Sequence, residues 1–381
     1  MRLAIVLALV SSLQIFQQSS VDYRGLATFE YSFISAAFPI GKFAATCALS
    51  IWNVELHDEL DRCAKLLIFG AIVSTMPFFQ TVFASIGRFL MGYSAGSGFV
   101  CAPAVLRIAV PQCLRPVNFL FLAAAFSAGT FLANLMFYVD AFISPVIFSA
   151  MMAAASGIGY LMLRPEEYSH LNCEDLHSEG VEEDEVVKSS HPVLFVFTLM
   201  VLNASIGVPL LQTYSTLMFT YYGFSERDSR LISIFYPILQ MIPLLISFRL
   251  NITRKIMVLG GYYIAIFIQF VIILTSTYPF MPEKHIQIAM TTLLILLSIS
   301  FIIPCNTGLC ILFEQFDNGN IRTASKSRAV MWFLSSIGTL TFAKMLAEFG
   351  FAIAFLPYFL ISVASYAVLW NVFPRKSNNI Y

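Results

Sequence analysis

The chain has 381 residues, of which 58% are hydrophobic and 12% charged, with a mean hydropathy of +0.79. Soluble domains carry roughly 25% charged residues, so the composition excludes a water-soluble globular protein and describes a polytopic membrane protein. The 22 Lys and Arg cancel the 22 Asp and Glu, which removes any net-charge argument for nucleic acid and leaves the position of each charge as the informative quantity.

A spanning helix needs about 20 mainly apolar residues. Twelve such stretches are predicted, at 3–20, 31–52, 65–81, 83–105, 118–139, 142–163, 193–215, 229–248, 255–276, 286–312, 326–346 and 350–373. The apolar run Leu3–Val10 reads as the start of the first of them rather than a signal-peptide core, because Gln14, Gln17 and Gln18 continue the segment with no clean small-residue cleavage site. In the fourth stretch Gly92, Gly96 and Gly98 fall on or near one face, a spacing that lets two membrane helices pack backbone to backbone. In the seventh, Gly207-Val-Pro209 is placed to interrupt backbone hydrogen bonding.

Connections are short except for 164–190, which switches to polar and acidic residues and reads as a solvated linker between six helices at 1–163 and six at 191–381. The expected architecture is an all-α membrane protein, two pseudo-symmetric six-helix bundles in the bilayer. Such a plan suits a secondary transporter that rocks one half against the other around a midplane site. His170, Cys173 and His177 of the linker match no compact zinc spacing, and the seven cysteines lie scattered. No metal or cofactor is expected. Nothing resembles a Ser/His/Asp set, a phosphate loop or a paired intramembrane carboxylate, so an enzyme lacks residues to carry it.

Fourteen basic residues fall on the side of both termini and the linker: Arg2, Arg62, Lys65, Arg115, Arg164, Lys188, Arg249, Arg254, Lys255, Arg322, Lys326, Arg328, Arg375 and Lys376. Five fall on the other side, with Lys42, Arg88 and Arg107 inside helices. The positive-inside rule therefore puts the termini and linker in the cytoplasm, and the plasma membrane is the expected location. Asn203 and Asn251, in a helix and a cytoplasmic loop, are not expected to be glycosylated.

Candidate functional residues are the polar groups the bilayer makes expensive. Gln14, Gln17 and Gln18 put amides on the first helix, and an amide offers both donors and acceptors to a sugar hydroxyl; interhelical hydrogen bonding explains them equally well. Lys42 stands near the middle of the second helix, where it either attracts an anionic group on a substrate or pairs with Glu30 or a carbonyl. Arg88, near the outer end of the fourth, suits backbone carbonyls or Asp22. Gln212 follows the expected helix break and is the leading binding candidate, with Gln240 second. Tyr221 and Tyr222 suit an outer gate or an interfacial belt, and Trp332 suits sugar stacking or core packing.

From Gly87 to Pro116 the sequence resembles the sugar porter family of the major facilitator superfamily, which includes the facilitative glucose transporters. Gly87-Arg88, Pro103, Pro111 and Leu114-Arg115 stand in register with the family's G-R-F…P…P-x-x-L-R-G segment, while Ile108 replaces its acidic residue and Pro116 its last glycine. Weaker matches follow in order: Ser12-Leu13-Gln14, Asp58–Cys63, Arg164-Pro165-Glu166, Gln212 with Tyr221-Tyr222, Thr253-Arg254-Lys255, and Glu314 with Phe316, Arg322 and Trp332. The resemblance implies the major facilitator fold, a functional monomer in the lipid bilayer, and a small-molecule substrate, by family default a hexose. It also implies a cytoplasmic charge latch from Arg62, Arg115, Arg254, Glu314 and Arg322, weakened by Ile108. Gln18 takes the position where proton-coupled relatives carry an aspartate, which favours facilitated diffusion. Ala123, Leu211, Leu217, Leu309 and Met331 stand where the family carries sugar-contacting or neighbouring polar groups. A carrier of another, anionic solute and a non-transporting nutrient sensor on the same fold remain alternatives.

Overall fold

The computed structural model describes residues 1–19, 28–52, 54–76, 80–111, 114–139, 145–164, 189, 191–247, 253–278, 282–314 and 321–373, with the side chains of 80, 116, 145, 247, 313 and 314 left outside that description. In chain order the helices are α1 (Arg2–Val10), α2 (Ile15–Ser19), α3 (Thr28–Ile51), α4 (Leu56–Ser74), α5 (Gln80–Ala109), α6 (Arg115–Val139), α7 (Pro145–Leu163), α8 (Pro192–Ser205), α9 (Val208–Tyr221), α10 (Glu226–Ser247), α11 (Arg254–Thr277), α12 (Glu283–Glu314) and α13 (Ile321–Val372). Ten helical stretches among the described residues are long and apolar enough to cross a bilayer. Three breaks reconcile thirteen helices with twelve crossings. α1 and α2 form one crossing, joined by a 3₁₀ turn over Ser12–Gln14. α8 and α9 form another across Gly207, whose φ of 85° suits a residue without a Cβ. α13 is two crossings, broken at Gly350 with φ 79°.

These breaks follow from local chemistry. Ser11 donates its hydroxyl to the Leu7 carbonyl, and the Gln14 amide donates to the Leu9 carbonyl at 2.5 Å, so side chains satisfy backbone acceptors at the interruption, as a bilayer requires. The expected Gly207-Val-Pro209 interruption is present, and the helix continues beyond 215 to Tyr221.

The third crossing departs from the expected 65–81. It is α4, Leu56–Ser74, and it begins within the charged stretch that reads as a loop. Asp58 and Glu59 in its first turn complement the positive helix N-terminus, and Glu59 bridges Arg62 one turn on at 2.7 Å. Hydropathy finds the lipid-embedded part of a helix and misses a charged turn that projects beyond it.

α1–α7 pack among themselves and α8–α13 likewise. The two sets meet chiefly through α3 against α13 and α6 against α10, with α2 touching α9. In crossings, these are the second against the eleventh and the fifth against the eighth, the pairings that exchange under a pseudo-two-fold axis relating crossing n to n+6. The linker at 164–190 lies outside the described residues apart from Arg164 and Ser189, the latter donating to the Val372 carbonyl at 2.6 Å.

The glycine row of α5 does what its spacing predicts. A Cβ on Gly96 would stand 2.7 Å from the Lys42 carbonyl oxygen, Gly92 lies against Phe38 of α3, and Gly98 against Val10 of α1. α3 and α5 therefore touch by their backbones, and Lys42 sits at that contact. Gly92→Ala is expected to lower the melting temperature of purified protein, costing about 1–3 kcal/mol by overpacking, while Gly260→Ala, where the nearest neighbour is 3.8 Å away, leaves it unchanged. Equal melting of the two variants would contradict the close approach.

Candidate functional site: a cationic and aromatic cluster between the halves

Lys42 is fully buried in α3. Its Nζ donates to Gln18 Oε1 at 3.3 Å and lies 4.0 Å from the centroid of the Trp332 ring, 4.5 Å from Phe38 and 4.9 Å from Phe99. The ammonium is thus held by one amide oxygen and three ring faces, the substitutes for water that a bilayer interior offers a cation. Glu30, an expected partner, is exposed in the first turn of α3, twelve residues away. The partner is Gln18.

Gln18 joins the halves. Its amide nitrogen lies 3.3 Å from the Pro209 carbonyl oxygen and from Thr213 Oγ1, both on α9. The carbonyl released before the break at Gly207 is that of Ser205, which accepts from the Gln269 amide at 3.0 Å within the second half.

Arg328 is a correction to the sequence reading, which places it in a cytoplasmic charge cluster. It is 2% exposed, its guanidinium carbon is 5.9 Å from the Phe99 centroid, and it lies near Cys101 and Cys305. It occupies the eighth position of α13, one turn before Trp332, so the two share a helix face. Lys42 and Arg328 approach the same Phe99 ring and interact electrostatically. The detectable signal was the four-residue spacing to Trp332 with small residues on either side; neighbouring Arg322 and Lys326, both exposed, made the run look solvated.

The other expected site residues separate into distinct settings. Trp332 is in the cluster, 5.8 Å from Phe99, and its indole nitrogen has no hydrogen-bond partner among the described residues. Gln212 is buried beside Thr213 in sequence, its amide nitrogen also unpartnered among the described residues. Gln14 serves the break after α1. Gln240 lies in a separate buried contact, 3.5 Å from Ser127 Oγ and 3.4 Å from the Ser298 carbonyl oxygen, joining α6, α10 and α12. Arg88 donates to the Ile34 and Gln17 carbonyls, which meets the carbonyl expectation, while Asp22 lies outside the described residues.

Above the cluster is a cavity of about 290 Å³ lined by Thr28, Tyr31, Leu217, Thr220, Tyr221 and the 343–347 turn of α13. Tyr31 forms part of its lining, donates to the Thr213 carbonyl at 3.4 Å and meets Tyr214 edge-on at 5.4 Å. Thr213 is therefore contacted by both Tyr31 and Gln18, the first belonging to the cavity and the second to the charge cluster. Tyr221 is 47% exposed in this cavity, whereas Tyr222 bonds Ser276 at 2.8 Å and packs on Phe351. The pair splits into a cavity residue and an anchor.

At the opposite end, Arg62 pairs with Glu59 and Arg164 with Asp61, both within the first half. Arg115 donates to the Val110 carbonyl at 3.0 Å, Arg322 is exposed, and Arg254 is half-buried. The Glu314 side chain lies outside the described residues.

No model of a known family matches the sequence, and no curated protein does. Solved structures match along the whole chain. The proton:xylose symporter XylE bound to 6-bromo-6-deoxy-D-glucose superposes with a TM-score of 0.79 at 14% identity, covering 100% of this chain and 97% of that one. The inward-open form of XylE from E. coli gives 0.71 at 15% identity with 99% and 97% covered. A POT family transporter in complex with 5-aminolevulinic acid gives 0.65 at 12%, with 99% and 96% covered. The chain is thus a multi-pass membrane protein with the major facilitator fold.

Replacing Tyr31 by Ala is expected to open the cavity onto Thr213. A cysteine introduced there as Thr213→Cys, 5% exposed as threonine, should then react at least about tenfold faster with a membrane-impermeant maleimide than in the Tyr31 background, read above the native cysteine signal. An unchanged rate would mean that Tyr31 does not close this path.

Proposed function

We propose that the protein is a carrier that moves a small polar solute across the membrane by alternating access, without proton coupling. The observation that carries this reading is the seam: α3 meets α13 and α6 meets α10 around a buried polar cluster, and the side-chain hydrogen bonds across it run from Gln18 and Tyr31 to α9 and, between α6 and α10, through Arg230, Asn134 and Ser127. Bonds of this kind can be exchanged between states, since a neutral one contributes about 0.5–1.5 kcal/mol and one from a charged group such as Arg230 about 1.5–3 kcal/mol. A hexose is the substrate the family resemblance implies, with Trp332 and the Gln18 and Gln212 amides as its contacts.

The uncoupled reading rests on carboxylates. Glu59 is the buried carboxylate among the described residues, and it lies at the charged start of α4 bridged to Arg62. Gln18, at the cluster itself, cannot load a proton. We place both termini and the 164–190 linker in the cytoplasm of a plasma-membrane protein acting as a monomer; without Arg328, thirteen basic residues against five still support that orientation.

The test is equilibrium exchange of labelled D-glucose in proteoliposomes, with and without an imposed proton gradient. Saturable exchange that ignores the gradient and falls at least about tenfold in Gln212→Ala is the expected result, equivalent to losing about 1.4 kcal/mol of binding. Exchange that follows the gradient would overturn the uncoupled reading, and none from folded protein would remove hexose as the substrate.

A further inference from the structure

Taking the carrier reading as its basis, we propose that the site between the halves selects a solute bearing a carboxylate or similar anionic group, held between Lys42 and Arg328 with its apolar face on Trp332 and Phe99. A cation at the centre of a membrane helix is costly to insert. This bundle buries two around one aromatic ring, Lys42 at 0% and Arg328 at 2% exposure, on opposite sides of the seam. By the rise of an α-helix they lie roughly 10–14 Å inside the same end of the bundle, nine residues from Ile51 and seven from Ile321 respectively. Both approach the Phe99 ring, so their separation is no greater than the sum of 4.9 and 5.9 Å. The partners seen for Lys42 are neutral: an amide oxygen and three aromatic rings. Like charges placed this close repel, and an anion between them converts that repulsion into two attractions. The anion does what neither the amide nor the rings can, by balancing charge.

The rest of the cluster fits a compact body behind that charge. The Trp332 indole N–H is buried and has no hydrogen-bond partner among the described residues, so a donor is available. Ring faces from Phe38, Phe99 and Trp332 offer apolar and stacking surface. Because Lys42 belongs to one half and Arg328 to the other, a bound anion draws the halves together. It thereby favours the occluded state over the open one by its differential contacts.

Trp52 and Trp370 are exposed at 61% and 59%, whereas Trp332 is 5% exposed beside Lys42. A Trp52→Phe, Trp370→Phe background therefore makes emission a report on the cluster. Two probe pairs matched except for charge are titrated into the detergent-purified chain: D-glucuronate against D-glucose, and benzoate against benzyl alcohol. The anionic member of at least one pair is expected to perturb Trp332 emission saturably and to bind at least about tenfold tighter than its neutral partner. Lys42→Gln and Arg328→Gln are each expected to lose about tenfold or more for the anion, with the neutral member unchanged and Arg328→Lys recovering part of the loss. Gel filtration verifies that each variant is folded.

Benzoate binding without glucuronate binding supports the anionic class and removes the sugar body. Equal affinity for charged and neutral members, anion affinity insensitive to both substitutions in folded protein, or no saturable response to either anion overturns the proposal. Exchange of the bound anion in proteoliposomes separates the two readings. Binding without exchange leaves the anion site standing and removes the carrier, while glucose exchange without anion binding does the reverse.

Discussion

The structure turns on one solvation problem: how to keep a lysine ammonium in the interior of an apolar bundle. Lys42 is fully buried, and a bilayer interior penalises its charge by about 2.5–3.5 kcal/mol on insertion scales. The surrounding architecture supplies an answer. Gly92 and Gly96 let α5 approach α3 until their backbones touch, which brings Phe99 within range of the ammonium. The Pro209 carbonyl, in the first turn of α9 after the break at Gly207, and the Thr213 hydroxyl one turn on hold the Gln18 amide that faces Lys42. α13 completes the enclosure with Trp332. Residues read one at a time as packing glycines, a helix breaker and a core tryptophan are parts of one arrangement.

The sequence was informative where the bilayer imposes a strict rule. Helix number follows from length and apolarity, and eleven of the twelve expected stretches match crossings closely because lipid tolerates no unpaired backbone. The exception, α4, begins with Asp58, Glu59, Asp61 and Arg62, where water again makes charge inexpensive and hydropathy loses its meaning. The glycine row and the Gly207 interruption were legible for the same reason: close backbone approach and positive φ both demand a missing side chain.

The site was legible in part. Gln18, Lys42 and Trp332 drew attention as polar or aromatic groups in apolar helices, and the structure brings these three together. Gln240 drew attention equally and lies in another contact, because a glutamine's presence in a helix does not reveal the face on which a partner helix will stand. Arg328 was concealed by the rule that revealed the topology: near a helix end, a basic residue beside two others looks like one more inside charge. Its register with Trp332 marks it as inward, and the start at Ile321 rather than 326 moves it from the first turn of the helix to two turns inside it.

The same arrangement bears on how the halves move. Hydrogen bonds within each half include the Gln17–Ser149 pair between α2 and α7 and the Tyr262–Asn203 pair between α11 and α8. Across the seam, Arg230 donates to the Phe137 carbonyl and Asn134 to the Ser233 carbonyl at 2.6 Å between α6 and α10, while Gln18 at 3.3 Å and Tyr31 at 3.4 Å converge on Pro209 and Thr213. Those acceptors sit just after a break whose flexibility is limited by Phe355, packed against Gly207, and by the stacking of Phe355 on Phe351 after Gly350. Two of the three left-handed glycines among the described residues of the second half, Gly207 and Gly350, are thus linked through one aromatic pair. The residues that hold Gln18 and the start of the last crossing are joined by packing: Gly207, two residues before Pro209, lies against Phe355, which stacks on Phe351.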